Sequence, residues 1–195
     1  RLFIMEFTKE FIDAFNHAMR YEVGAFDPAD PDTQAGLIAT KEQRRKVGYV
    51  NIKADRGGET KFGIAKNANP GLDITNLTLE QAMEVYYKQY WLAGSCDIMP
   101  YPLNVLHFDG CVNHGVGRAI KFLQAALGIM PQTTNIGPKT KSLIASCDPK
   151  KVCDLVCGQR ENFYKSIVLR DASKAVFLKG WLRRINEMRD YCRGA

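Results

Sequence analysis

Glu22 closes an amino-terminal helical segment, and a second set of reactive side chains, Asp55, Glu59 and Thr60, crowds the stretch "ADRGGETKFGIAK" (54–66) around Gly57-Gly58. Two carboxyl groups in different surroundings can divide acid and base work. A general acid must keep its proton at working pH, which partial burial against aromatic rings promotes; Tyr21 and Phe26 flank Glu22. Its counterpart stays ionised and, alone or through a held water, meets a carbon that develops positive charge. Glycosidic bonds are cut by such a pair. Asp55 is the favoured second carboxylate because the glycine-rich turn would hold it, with Asp27 and Asp30 of "DPADP" (27–31) as alternatives. Thr60 would hold a water or a sugar hydroxyl, and Glu59 reads as a solvated turn residue or an accessory carboxylate. Tyr49 and Phe62 would line the cleft or pack beneath it, and Gly58 would let the backbone approach the substrate.

These groups need elements to hold them. Phe7, Phe11, Ile12, Phe15 and Met19 recur at helical spacing behind Thr8 as cap, predicting a helix to about Tyr21. Residues 23–54 are irregular, and long irregular passages in compact domains are usually functional or inserted. "VGYVNIK" (47–53) and "TKFGIAK" (60–66) read as two short strands joined through Gly57-Gly58, the only sheet expected. Thr78-Leu79-Glu80-Gln81 is a capping box opening a helix with Leu79, Met83, Tyr86 and Tyr90 on one face. Further helices are predicted over 103–110 and 119–127, from Pro138, from Asp148-Pro149, and along Val176, Phe177, Trp181, Ile185 and Met188. The class is mainly α, a helical bundle with one small β-hairpin near the amino end.

The 195 residues carry a formal charge of +6, which favours an anionic partner: nucleic acid, a membrane surface or an acidic polymer. No basic stripe is interleaved with aromatics, which sets nucleic acid aside. The six cysteines and three histidines show no metal-ligand spacing, so reduced, mostly buried thiols and neither metal nor organic cofactor are expected. No window approaches the roughly 18 apolar residues of a membrane span. Glu6, Lys9, Glu10 and Asp13 break up residues 1–19, which therefore lack a signal peptide's apolar core.

The order of these features resembles the family 108 glycoside hydrolases, phage and bacterial N-acetylmuramidases. Gly48-Tyr49-Val50-Asn51, Asp55, Gly57-Gly58, Thr60, Phe62-Gly63-Ile64 and the helix end Tyr86-Tyr90-Trp91 carry the likeness. The stretches 108–129, 136–140, 160–168 and 176–185 are similar to the helical peptidoglycan-binding region that follows in such enzymes. The resemblance implies a lysozyme-like α+β hydrolase region over 5–100 and a helical peptidoglycan-binding region over 101–195. It implies cleavage of the β-1,4 bond between N-acetylmuramic acid and N-acetylglucosamine, with Glu22 as general acid assisted by Asp55 and Thr60. Tyr49, Gly58, Glu59, Phe62 and Asn113 are the candidate substrate contacts. One departure stands out: the family's Glu directly precedes the Gly-Gly-Tyr element, whereas here Lys46 stands before Val47-Gly48-Tyr49. Residues 23–47 therefore read as an insertion after Glu22.

The competing expectations are a non-catalytic wall-binding or secretion-accessory protein and a lytic transglycosylase. A monomer made in the host cytoplasm, delivered by a holin or another route, and acting on the periplasmic cell wall completes the reading.

Overall fold

The computed structural model describes residues 6–51 and 58–195. Among them the chain is mainly helical with one small two-stranded antiparallel sheet. It divides into two compact units, Arg1–Lys88 and Gln89–Ala195.

In the first unit, α1 (Lys9–Glu22) starts where Thr8 accepts a hydrogen bond from the Phe11 amide, and Val23 caps its end onto the Met19 carbonyl. Phe11, Ala14, Phe15, Ala18 and Met19 form its buried face. The passage from 23 to 47 holds two short helices. In α2 (Pro31–Ala35) Asp30 is the cap, and in α3 (Lys41–Lys46) Thr40 and Gln43 complete a capping box. The Gln43 amide reaches Asp32 at 3.2 Å, and Lys46 reaches Asp30 at 2.7 Å, which ties the two helices together. After β1 (Thr60–Lys61) and β2 (Ile64–Ala65), α4 (Leu79–Tyr86) opens on the expected Thr78–Gln81 capping box. The chain then runs through a wide π turn, Tyr87–Leu92.

The sheet differs from the sequence expectation. Both strands lie inside "TKFGIAK", with Thr60 paired to Ala65 and Lys61 to Ile64 across Phe62-Gly63. Of "VGYVNIK", Val50 alone pairs, by a bridge to Thr60. The turn expected at Gly57-Gly58 begins outside the described residues. Phe62 and Gly63 have φ of 51° and 73°; two left-handed positions in a two-residue loop suit the right-handed twist of the strands it joins. Directly opposed residues share a face. Lys61 and Ile64 therefore point into the core, and Thr60 and Ala65 onto the more open side.

In the second unit, α5 (Leu103–His114) is buried along Leu103–Cys111. Around it lie α6 (Val116–Ala126), α8 (Pro149–Arg170) and α9 (Ala175–Gly194), with α7 (Pro138–Ser146) beside them. Pro138 and Pro149 occupy first-turn positions, and Asp148 caps α8, as their sequence contexts predict. Trp181 is half-buried rather than in the core, stacked on Tyr164 (4.6 Å, 15°) and Phe177 (5.8 Å, 28°). Val176 and Phe177 are exposed, in the first turn of α9 at the loop end of the α8–α9 hairpin. The six thiols are free, and five are buried.

A wholly buried α5 would strand its polar side chains unless partners met them. Asp109 sits between two guanidiniums: Arg160 at 2.7 Å, and Arg184, whose Nε and Nη2 lie at 3.0 and 2.8 Å. Burial by itself would raise the Asp109 pKa, but the two arginines hold it below the usual carboxylate value. Arg160 Nε also donates to His114 Nε2 at 3.1 Å, so that imidazole must be neutral. Burial and the Arg160 charge push the His114 pKa down to about 3.

Both groups titrate lower when folded, so both contribute stability at neutral pH that acid removes. For His114 the loss runs from 6.5 down towards about 3; for Asp109 it begins below 3.8. Thermal melts should therefore fall as pH drops below 6.5, and His114→Gln should flatten the upper part of that decline. Asp109→Ala, which strands two buried guanidiniums, should cost about 3–5 kcal/mol in urea unfolding at pH 7.

Candidate active site

Glu22 is the last residue of α1 and is exposed. The burial against aromatics expected from sequence is not provided, because Phe26 turns onto Phe15 (6.2 Å, edge to face) and Tyr21 packs with His17 (5.8 Å). What approaches Glu22 is the hairpin turn. A Cβ placed on Gly63 would sit 3.6 Å from Glu22 Cβ and 2.6 Å from Tyr86 Oη. Glycine is thus required at 63 both by its φ and by the closeness of two neighbours.

Tyr86 and Val47 hold the turn in place. Tyr86 Oη donates to the Phe62 carbonyl at 2.9 Å in a buried position, and the Phe62 amide donates to the Val47 carbonyl at 2.8 Å. Edge-to-face packing on Phe15 at 5.2 Å fixes the Tyr86 ring against α1. A left-handed conformation is costly for a bulky non-glycine residue and persists where its surroundings enforce it. The Phe62 ring is fully buried, so its assignment as a substrate contact is corrected: the chain anchors the hairpin with it.

Thr60 lies on the open face of the same hairpin, its backbone bonded to Val50 in both directions. Glu59, expected as a solvated turn residue, is instead half-buried. It accepts from Tyr49 Oη at 2.8 Å and from Thr75 Oγ1 at 2.5 Å, so it ties three loop segments together. The Tyr49 hydroxyl is committed to that tie. Gly58, at φ 70°, passes so close to Asn67 that an added Cβ would lie 3.3 Å from its Oδ1.

Sequence reasoning missed Lys61. Its side chain is fully buried, and Nζ donates to the Thr75 carbonyl at 2.8 Å. The same Nζ would lie 3.0 Å from a Cβ on Gly36, the left-handed cap of α2. Burial lowers the Lys61 pKa against the opposing pull of Glu59 and Asp73. The signal was available in the alternation: once Ile64 faces the core, its partner Lys61 must as well.

Of the candidate second carboxylates, Asp55 lies outside the described residues. Asp30 caps the Thr33 amide at 3.1 Å and pairs with Lys46, which holds its carboxyl below the ordinary value. Asp27 accepts from the Ala29 amide at 2.9 Å in an exposed turn. Asn113 belongs to the second unit, where its Oδ1 accepts from Tyr164 Oη at 2.5 Å and Arg160 Nη2 at 3.4 Å. That occupation gives Asn113 a structural role in the buried cluster. Among the described residues no group of His, Cys, Asp and Glu could hold a metal ion, and no helix is long and apolar enough to cross a membrane.

Glu22 at the end of α1 is thus approached by a clamped glycine turn whose hairpin carries Thr60 on its more open face. Residues 39–115 match the glycosyl hydrolase 108 family and residues 118–186 the predicted peptidoglycan domain. The solved structure of Brucella abortus SagA is similar, with 22% identity, 94% of each chain covered and a TM-score of 0.68, a likeness of fold. No curated protein matches the chain. Together the matched regions support a glycoside hydrolase that acts on peptidoglycan. Residues 39–115 thus form a region similar to the glycosyl hydrolase 108 family, and the predicted peptidoglycan region follows it. Glu22 precedes the first matched residue.

Tyr86→Phe leaves the Phe62 carbonyl buried without its donor and should cost about 1–3 kcal/mol in chemical unfolding. Gly63→Ala should cost more, because it adds the left-handed penalty to a clash with Tyr86 Oη. Both should depress hydrolysis of purified sacculi even at temperatures where the variants stay folded.

Proposed function

We propose that the protein is an N-acetylmuramidase, cutting the β-1,4 bond between N-acetylmuramic acid and N-acetylglucosamine with Glu22 as general acid. The observation that supports this reading is the approach of the Gly63 turn to the Glu22 side chain at its Cβ. In this reading Glu22 donates a proton to the leaving glycosidic oxygen. Asp55, with Thr60 or a water that Thr60 orients, faces the anomeric carbon as positive charge develops there. The commitments of Asp30 to Lys46 and of Asp27 to the Ala29 amide favour Asp55 for that second role. Peptidoglycan as substrate agrees with the net charge of +6.

The chain's own residues divide the remaining work. Tyr86 and Gly63 set the distance between helix end and hairpin, and Glu59 fixes the loop that leads into Thr60 by holding Tyr49 and Thr75. Displacements of an ångström in such a site cost rate steeply, so these ties belong to catalysis as positioning.

Glu22→Gln should lower release of reducing ends from purified sacculi by about 10²–10⁴-fold, with an unchanged melting temperature and undiminished sedimentation with sacculi. Mass spectrometry of wild-type digests should show fragments ending in reducing N-acetylmuramic acid. Full activity in Glu22→Gln would remove that residue from the mechanism. Fragments ending in 1,6-anhydro sugars would replace hydrolysis by intramolecular transglycosylation. Wild-type protein that binds sacculi yet releases nothing would make it a wall-binding module.

A further inference from the structure

Resting on the hydrolase reading above, we infer that Lys41 and Arg45 of α3 form a subsite for the carboxylates on the peptide branches of the glycan strand. α3 bears Lys41, Arg44, Arg45 and Lys46 against the single acid Glu42. Two of these cations have structural duties. Lys46 is paired with Asp30 at 2.7 Å, with Glu42 at 3.9 Å. Arg44 Nε donates to the Ile38 carbonyl at 2.8 Å, and its guanidinium lies 5.9 Å from the Tyr49 ring centre. Lys41 and Arg45 are exposed and make no ion pair among the described residues.

Both of these uncommitted cations line two shallow depressions side by side. One, of about 490 Å³, is bounded by Ala25, Lys41, Glu42, Arg45 and Lys46. The other, of about 370 Å³, is bounded by Gly24, Lys41, Arg44, Arg45, Gly48, Tyr49 and Val50. Gly24 and Ala25 follow Glu22 by two and three residues, so at about 3.8 Å per Cα step their backbone lies within about 11 Å of it. The approach is close because Gly48 lacks a side chain: a Cβ there would meet Val23 Cγ2 at 3.2 Å. α3 is itself fixed, by its capping box and by the Gln43–Asp32 and Lys46–Asp30 contacts. The cations are thus presented from a tethered helix beside the candidate acid.

The lining selects the ligand class. A neutral sugar is gripped by ring stacking and by acceptors for its hydroxyls; of the polar side chains that line these depressions, four are cations, Lys41, Arg44, Arg45 and Lys46, against the acid Glu42 and a Tyr49 hydroxyl already held by Glu59. On a strand whose sugars are otherwise uncharged, the groups such donors suit are the carboxylates of the peptide branches. Exposed pairs of this kind are individually weak and salt-sensitive. The subsite therefore adjusts rate and preference without being indispensable.

Purified sacculi and sacculi whose carboxylates have been converted to amides with carbodiimide and ammonium provide the test. At low salt the wild type should release reducing ends about fivefold faster from native than from amidated sacculi, the effect of one or two exposed charge pairs. Lys41→Gln/Arg45→Gln should lose most of that advantage, with an unchanged melting temperature, and added salt should bring the two proteins together. A double variant as fast as wild type on native sacculi would overturn the subsite. So would a variant slowed by the same factor on both substrates, which marks a general structural effect. A wild type that releases nothing from either refutes the hydrolase reading instead. Co-sedimentation of the two proteins with the two kinds of sacculi then decides the subsite, and equal binding in all four pairs would reject it.

Discussion

The first unit is organised by one hydrogen bond. The Tyr86 hydroxyl holds the carbonyl of Phe62, a residue in a backbone conformation that its side chain disfavours. Released from that bond, the turn would have reason to relax, and Gly63 would leave its place beside Glu22. Several unrelated features meet at this point: the last turn of α4, the aromatic packing of Phe15 on Tyr86, the Val47 carbonyl after α3, and the two-residue loop. Each holds another in place, as expected where a strained backbone borders a reactive group.

The two units meet the problem of buried charge differently. In the first, the ammonium of Lys61 is satisfied by the Thr75 carbonyl and the more distant acids Glu59 and Asp73, and burial lowers its proton affinity. In the second, the Asp109 carboxylate is enclosed by two arginines, and Arg160 extends the network to His114. The first solution pins the loops that frame the hairpin. The second joins α5, α8 and α9 at one buried point. A network of this kind adds specificity of packing at a steep penalty for losing any member.

Chemistry and partner fall together in this chain. A glycosyl hydrolase 108 region precedes a peptidoglycan region, and the substrate polymer is anionic where its peptide branches are not amidated. α3 lies within the matched region 39–115, between Glu22 and Gly48, and concentrates four cations there against the single acid Glu42.

Local features were legible in the linear order of residues: Thr8 and Thr78 as caps, the prolines that open α7 and α8, the helical class, and the hairpin near the amino end. These depend on interactions within a turn or two of chain, so residue type and spacing are enough. The turn at Phe62-Gly63 was not legible, since it rests on Tyr86, 24 residues further on. Nor were the inward Lys61, the tie through Glu59, the burial of Phe62 or the exposure of Glu22. Each of those depends on which distant groups arrive at the same place, and an ammonium or a carboxyl keeps the same letter in the sequence whether water or a carbonyl oxygen meets it.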